Sequence, residues 1–280
     1  MCSSLIEDVA FRTVELSDPA FEQGGLRLAT VRSPSLGRRA DVSLWVPQAE
    51  HISILLILLH GVYGSHWVWS QKAGVHCIAQ GMLSAGEIRP MVIAMPSDGL
   101  SRDGSAYLTW PGAEDVERWI VEEVPAIARI AAPALLPHAM IAIAGLSMGG
   151  YGALRLGAKY APRFSAISAH SSITHIREME NFVADPFADY LTCAPPAELS
   201  PLHWLETHRE SLPPLRFDCG TEDLLIAGNR NLHQALKQQD IPHEYTELLG
   251  GHDWSYWQQH IPDTLRFVNR TCASDKGPTQ

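Results

Sequence analysis

Short apolar runs separated by turn residues dominate the pattern of this chain. Ile52–Leu59 is almost entirely apolar, which is typical of a strand that is buried on both faces. Residues 41–46 alternate polar and apolar side chains and predict a half-exposed strand near a sheet edge. Further runs of the same kind predict strands at residues 90–96, 139–144, 164–169, 215–219 and 245–249.

Helical patterns fill most of the gaps between these strands. Apolar residues spaced three to four positions apart predict helices at residues 75–85, 116–130, 151–159, 225–239 and 254–269. Strands that alternate with helices are typical of an α/β fold, in which helices cover both faces of a mostly parallel sheet. We therefore expect a single α/β domain over residues 1–272, followed by a flexible tail at residues 273–280.

One segment interrupts the alternation of strands and helices. Residues 173–214 are irregular in pattern and rich in proline and aromatic side chains. Ligands of α/β folds bind outside the carboxyl ends of the strands. We therefore predict that this segment is a cap-like insertion over that edge of the sheet.

Composition narrows the classes of partner. The chain has 280 residues and a net charge of -10, which argues against nucleic acid and anionic membranes as main partners. Its five cysteines are scattered and lack C-x-x-C spacing, a pattern that suits a reducing compartment. With no secretory leader recognised at the start, we predict a cytoplasmic protein. The sequence leaves the oligomeric state open, with a homodimer as one alternative.

A G-x-S-x-G motif at residues 145–149 is the main chemical signal. It follows the apolar run at residues 139–144 and precedes a small-residue helical pattern. This order of strand, motif and helix forces a serine onto a tight turn with its hydroxyl exposed. Side chains at Gly145 and Gly149 would collide with the neighbouring elements. Ser147 is therefore the candidate nucleophile.

A nucleophilic serine needs a base and an acid that orients the base. His252 follows the last predicted strand and precedes the last predicted helix, where the catalytic histidine of such enzymes occurs. The acid should come just after the strand at residues 215–219. We favour Asp223, with Glu222 as the rival, and expect Asp218 to lie within the strand itself.

The tetrahedral oxyanion of such a reaction needs two preorganised N–H donors. We expect one from Met148, directly after the nucleophile, and the other from Val62, after the early buried strand. Aromatic side chains cluster in the two loops that should border Ser147, and we predict that some of them line a substrate pocket or pack these loops onto the core. They include Tyr63, Trp67, Trp69, Trp254 and Trp257.

These motifs together resemble the α/β-hydrolase superfamily and, within it, the esterase group that includes esterase D (S-formylglutathione hydrolase), feruloyl esterases and the antigen 85 mycolyltransferases. The matching segments are residues 35–47, 58–61, 94–96, 145–154, 219–223 and 251–257. The resemblance implies an α/β-hydrolase fold, a triad of Ser147, Asp223 and His252, and oxyanion donors at Val62 and Met148. This chain differs from S-formylglutathione hydrolases at residues 60–65. It has His-Gly-Val-Tyr-Gly-Ser there, where those enzymes usually have a Ser-Gly-Leu-Thr-Cys loop.

The sequence therefore predicts a serine hydrolase that cleaves small carboxylic esters through an acyl-enzyme intermediate. A thioesterase of the S-formylglutathione hydrolase type and an acyltransferase are alternatives that would use the same triad. A binding protein on a hydrolase scaffold is the alternative without catalysis, and a peptidase is a less favoured one. Histidines and carboxylates with the spacing of metal ligands are lacking, as is a phosphate-binding loop, so we predict no metal and no cofactor.

Overall fold

The computed structural model describes residues 9–272, and within this range nine strands form one sheet in the order β1-β2-β3-β5-β4-β6-β7-β8-β9. The strands are β1 (Val14–Leu16), β2 (Leu26–Arg32), β3 (Arg39–Trp45), β4 (Ile52–Leu59), β5 (Val92–Pro96), β6 (Leu135–Leu146), β7 (Ala166–His170), β8 (Leu215–Gly220) and β9 (Glu244–Leu248).

The sheet is parallel from β5 to β9 and antiparallel at its other edge. β4 lies between β5 and β6, and the pairs from β5 through β4, β6, β7 and β8 to β9 all run parallel. β1, β2 and β3 pair antiparallel with one another, and β3 also pairs antiparallel with β5. The predicted mostly parallel sheet is confirmed, and β1 and β2 extend it beyond the predicted strands.

Helices lie between most of the strands. They are α1 (Val68–Gln71), α2 (Val75–Ser84), α3 (Val116–Arg118), α4 (Val124–Ala131), α5 (Met148–Lys159), α6 (Phe187–Thr192), α7 (Pro201–Thr207), α8 (Ile226–Gln238) and α9 (Trp254–Thr271). A π-helical turn at Trp119–Glu123 joins α3 to α4, so the helix predicted for residues 116–130 is continuous but changes its winding.

Both faces of the central strand β4 are buried, which explains why its sequence is almost entirely apolar. Leu55 and Ile57 belong to the core that the sheet forms with α4 and α5. Ile54 and Leu56 point to the opposite core, which the sheet forms with α2 and α9. Successive side chains of a strand alternate between faces, so a strand covered by helices on both sides is apolar at most positions.

The predicted insertion follows β7 and ends before β8. It contains α6, α7 and short 3₁₀ turns at Ile176–Asn181 and Arg209–Ser211. Two buried tyrosines attach it to the rest of the molecule. Tyr190 donates a hydrogen bond to the carbonyl of Gly104 at 2.6 Å, and Tyr151 of α5 donates one to Leu199 of the insertion at 2.6 Å.

Two further features bear on the predicted compartment. No helix among residues 9–272 combines the length and the apolar character that a membrane crossing needs. Cys77, Cys193, Cys219 and Cys272, the cysteines within the described range, are all free thiols. The cytoplasmic location stays a prediction, and the predicted tail at residues 273–280 lies outside the described residues.

Candidate active site

Ser147 lies on a strained turn between β6 and α5. Its backbone has φ 53° and ψ -119°, a conformation that non-glycine residues adopt at a cost. The turn is very close-packed, since a Cβ atom at Gly145 would lie 2.3 Å from the carbonyl oxygen of Gly149. A Cβ atom at Gly149 would lie 2.5 Å from the carbonyl oxygen of Leu59. Glycine is therefore required at both positions for the turn to pack against β4.

The three side chains predicted for a triad lie in one hydrogen-bonded chain. Nε2 of His252 is 3.0 Å from Oγ of Ser147. Nδ1 of His252 is 2.9 Å from Oδ2 of Asp223. Each residue follows the carboxyl end of a different strand, namely β6, β8 and β9. The parallel order of these strands is what brings residues so distant in sequence to one edge of the sheet.

The Asp223 carboxylate is held as an anion by its neighbours. Burial raises the pKa of this carboxyl. Its hydrogen bond to His252, the charge of that imidazole and the N–H of Leu225 together lower the pKa by a larger amount, so the net pKa lies below the ordinary value. An ionised carboxylate can hold the Nδ1–H tautomer of His252, which leaves Nε2 free to accept the proton of Ser147.

The predicted oxyanion donors are Met148, which directly follows Ser147, and Val62, in the loop after β4. Met148 begins α5, and the first N–H groups of a helix have no carbonyl partner within it. Among residues 9–272, no protein acceptor takes a hydrogen bond from the N–H of Val62. The next N–H, that of Tyr63, is occupied by the carbonyl of Asp103 at 2.8 Å. Both predicted donors are therefore available to a substrate oxygen.

A third loop, between β5 and α3, fixes these two donor residues. Gly104 packs directly against both, since a Cβ atom there would lie 2.4 Å from Sδ of Met148 and 3.1 Å from Cγ1 of Val62. The N–H of Ala106 donates to the same sulfur at 3.3 Å. This loop is in turn tied to the insertion, where Asp185 accepts the N–H of Asp103 at 2.9 Å.

A small cavity of about 130 Å³ opens beside Ser147 and His252. Its apolar walls include Val62, Val68, Leu146, Phe182, Trp254 and Trp257. Of the aromatic residues predicted to border the site, Trp254 and Trp257 therefore line this cavity. Tyr63 and Trp67 are exposed and lie outside its lining, and Trp69 is buried in the core with its indole N–H bonded to the carbonyl of Leu59.

A buried polar network behind the serine was not anticipated from the sequence. Asp218 lies within β8, as expected, and its carboxylate contacts Nδ1 of His170 at 2.9 Å, Arg216 at 2.8 Å and the hydroxyl of Tyr256 at 2.8 Å. The carbonyl of His170 accepts the N–H of Ser147 at 2.9 Å. The only sequence signal for this network was the presence of charged residues inside a predicted buried strand.

A family model agrees with this architecture. The model described as "Putative esterase" matches residues 33–268. The chain belongs to this family. The resemblance that the motifs indicated is thereby confirmed, and family membership identifies the chain as a hydrolase that acts on esters.

Individual relatives are similar over most of the chain. An acetyl esterase from Caldicellulosiruptor saccharolyticus is 28% identical over 231 residues, which cover 77% of this chain and 83% of that protein. A ferulic acid esterase superposes with a TM-score of 0.75 at 26% identity, covering 92% of this chain and 98% of the other. An S-formylglutathione hydrolase from Staphylococcus aureus superposes with a TM-score of 0.73 at 18% identity, covering 91% and 99% respectively, which shows the shared fold.

Proposed function

We propose that this chain is a serine hydrolase that cleaves carboxylic esters through an acyl-enzyme formed on Ser147. The observation that carries the proposal is the continuous chain of contacts from Oγ of Ser147 through His252 to Asp223, at 3.0 and 2.9 Å. Family membership and the similarity to an acetyl esterase support an ester as the substrate.

The proposed reaction has two halves. In the first, Oγ of Ser147 attacks the ester carbonyl carbon while Nε2 of His252 takes the serine proton. The N–H groups of Val62 and Met148 stabilise the resulting oxyanion. When the intermediate collapses, the bond to the alcohol oxygen breaks and the imidazolium gives that oxygen its proton.

In the second half, a water molecule replaces the departed alcohol. His252 takes one proton from the water as its oxygen attacks the acyl carbon, and the acid is released when the bond to Ser147 breaks. Asp223 stays ionised throughout and stabilises the imidazolium that forms in each half. Among residues 9–272, no group of three or more His, Cys, Asp or Glu side chains has the arrangement of a metal site.

The test compares the wild type with Ser147→Ala on p-nitrophenyl acetate and with a fluorophosphonate probe. We expect hydrolysis and a covalent adduct in the wild type and loss of both in the variant, with melting temperature retained. Ser84→Ala is the matched control, because Ser84 is exposed near the end of α2, outside the cavity. Hydrolysis that persists in Ser147→Ala would exclude Ser147 as the nucleophile, and a wild type that gives no adduct would favour a binding protein.

The same assay separates an oxygen-ester hydrolase from the enzymes that would share its triad. An oxygen ester and a thioester that carry the same acyl group form the same acyl-enzyme. Their deacylation rates should therefore be equal, and only their acylation rates should differ. We expect faster acylation by oxygen esters. Transfer of the acyl group to an added alcohol in preference to water would instead indicate an acyltransferase.

A further inference from the structure

The cavity beside Ser147 is small for a ligand site. Its volume is about 130 Å³, whereas sites for drug-sized ligands are commonly about 300–1,000 Å³. An apolar cavity of about 150 Å³ holds one benzene molecule, which is a ring of six carbon atoms. A group of that size is therefore the upper limit for what this cavity encloses.

A small apolar cavity beside Ser147 suits the acyl side of an ester better than the alcohol side. The alcohol must depart while the acyl group is still bonded to Ser147, and a water molecule must then reach the same position beside His252. The alcohol side therefore needs an open path to solvent. The acyl group stays bonded to Ser147 until deacylation is complete, so it is the part of the substrate that an apolar pocket beside Ser147 can hold in place.

One wall of the cavity is rigidly held by packed aromatic rings. The ring of Trp254 meets Trp257 edge-on at 5.1 Å and Trp69 edge-on at 5.8 Å. Trp69 is buried and donates its indole N–H to the carbonyl of Leu59, at the end of β4, at 2.9 Å. Because this wall is continuous with the core, it cannot move away to admit a longer chain without disrupting that packing.

The insertion contributes one side chain to the cavity lining, Phe182. Its ring centroid lies 5.4 Å from that of His252. The backbone on either side is anchored, since the N–H of Phe182 donates to the carbonyl of buried Met179 at 2.9 Å. Two residues later, the N–H of Ala184 donates to Asp103 at 2.7 Å. Phe182 is thus held in place over the cavity and is only partly buried itself.

We propose that this cavity is an acyl pocket for short acyl groups of up to about six carbon atoms, and that Phe182 sets its size limit. The inference rests on the proposed function, because it requires an acyl group on Ser147. It makes the substrate class an ester of a short-chain acid and excludes bulky aromatic or long-chain acyl groups.

The test measures kcat/KM for p-nitrophenyl esters from acetate to dodecanoate, each below its micellar concentration, with the alcohol held constant. In the wild type, we expect the maximum between acetate and hexanoate and a fall of at least about tenfold by decanoate, since even one misfitting methylene costs about tenfold or more. Phe182→Ala should move the maximum to octanoate or beyond. Phe182→Trp should move it towards acetate.

Phe187→Ala is the matched control, because it removes the same ring from the same insertion at a position outside the cavity lining. It should keep the wild-type order of preference. A wild type that hydrolyses dodecanoate as well as butyrate would overturn the size limit while leaving the serine hydrolase intact. An unchanged profile in both Phe182 variants would overturn the role of Phe182. A wild type that hydrolyses none of the esters and takes no label at Ser147 would overturn the proposed function and this inference together.

Discussion

Three carboxylates lie in or just after β8, and their surroundings differ. They are Asp218 within the strand and Glu222 and Asp223 after it. Asp223 is buried and faces Nδ1 of His252. Asp218 is also buried, but its oxygens are taken by the polar network behind the serine. Glu222 is exposed. Only Asp223 therefore contacts the imidazole of His252, which is the reason to prefer it over the rival that the sequence left open.

We expect Asp223→Asn to reduce kcat by about 10⁴-fold, because an amide no longer holds the Nδ1–H tautomer of His252 or stabilises the imidazolium. Glu222→Gln is the matched control and should stay within about twofold of the wild type, as exposed substitutions generally do. Steady-state hydrolysis of p-nitrophenyl acetate measures both. A larger loss in Glu222→Gln than in Asp223→Asn would reverse the assignment.

The sequence could locate the three side chains that form the hydrogen-bonded chain, but not the wall of the cavity. Ser147 and His252 follow strand ends, and strand ends can be read from apolar runs and turn residues. Phe182 belongs to an irregular segment in which no periodicity fixes the direction of a side chain. Its position over His252 depends on anchors such as Asp103, which comes from another part of the chain.

At the level of elements, the proposed oxyanion site is assembled from three loops. The loop after β4 carries Val62, the turn after β6 leads to Met148, and the loop after β5 holds both through Gly104. Because a Cβ atom at Gly104 would meet the side chains of both residues, at Sδ of Met148 and Cγ1 of Val62, any side chain at this position must shift at least one of these side chains and strain the backbone that carries it.

Gly104→Ala should therefore lower kcat by about a hundredfold, the cost of moving catalytic groups by about 1 Å, with a smaller effect on KM. Gly81→Ala is the matched control, because a Cβ atom there meets nothing within 4 Å. It lies in α2, where alanine favours the helix, so this control should keep its activity and melt slightly higher. Wild-type kcat in Gly104→Ala would show that the loop after β5 does not position the donors.

The elements that the sequence missed are those whose structure depends on partners. The central strands were readable because burial on both faces makes them mostly apolar. β1 and β2 were not predicted, since they form an antiparallel edge and gain their structure by pairing with β3. The short helices α6 and α7 were missed for a similar reason. Each has fewer than eight residues and is stabilised mainly by packing against neighbouring elements.

Across the whole molecule, the buried network joins the nucleophile turn to the opposite face of the sheet. His170 ends β7, Arg216 and Asp218 lie in β8, and Tyr256 belongs to α9. Burial raises the pKa of the Asp218 carboxyl, but the charge and hydrogen bond of His170, with Arg216 and Tyr256, lower it to about 2. The network therefore holds β7, β8 and α9 together through the ionised carboxylate of Asp218.

This dependence predicts how stability changes in acid. The folded pKa of Asp218 lies below its reference value of 3.8, so its stabilisation is present above that value and is lost as the pH falls through about 2. The shift corresponds to roughly 2 kcal/mol in the free energy of unfolding.

Urea titrations should show the wild type losing this amount relative to Asp218→Asn between about pH 5 and about pH 2, while Asp189→Asn, at an exposed position, parallels the wild type. Tyr256→Phe keeps the carboxylate but removes one hydrogen bond that lowers the folded pKa of Asp218, so its acid loss should be smaller and should end at a higher pH. A constant difference between Asp218→Asn and the wild type across this range, together with an unshifted curve for Tyr256→Phe, would contradict the assignment.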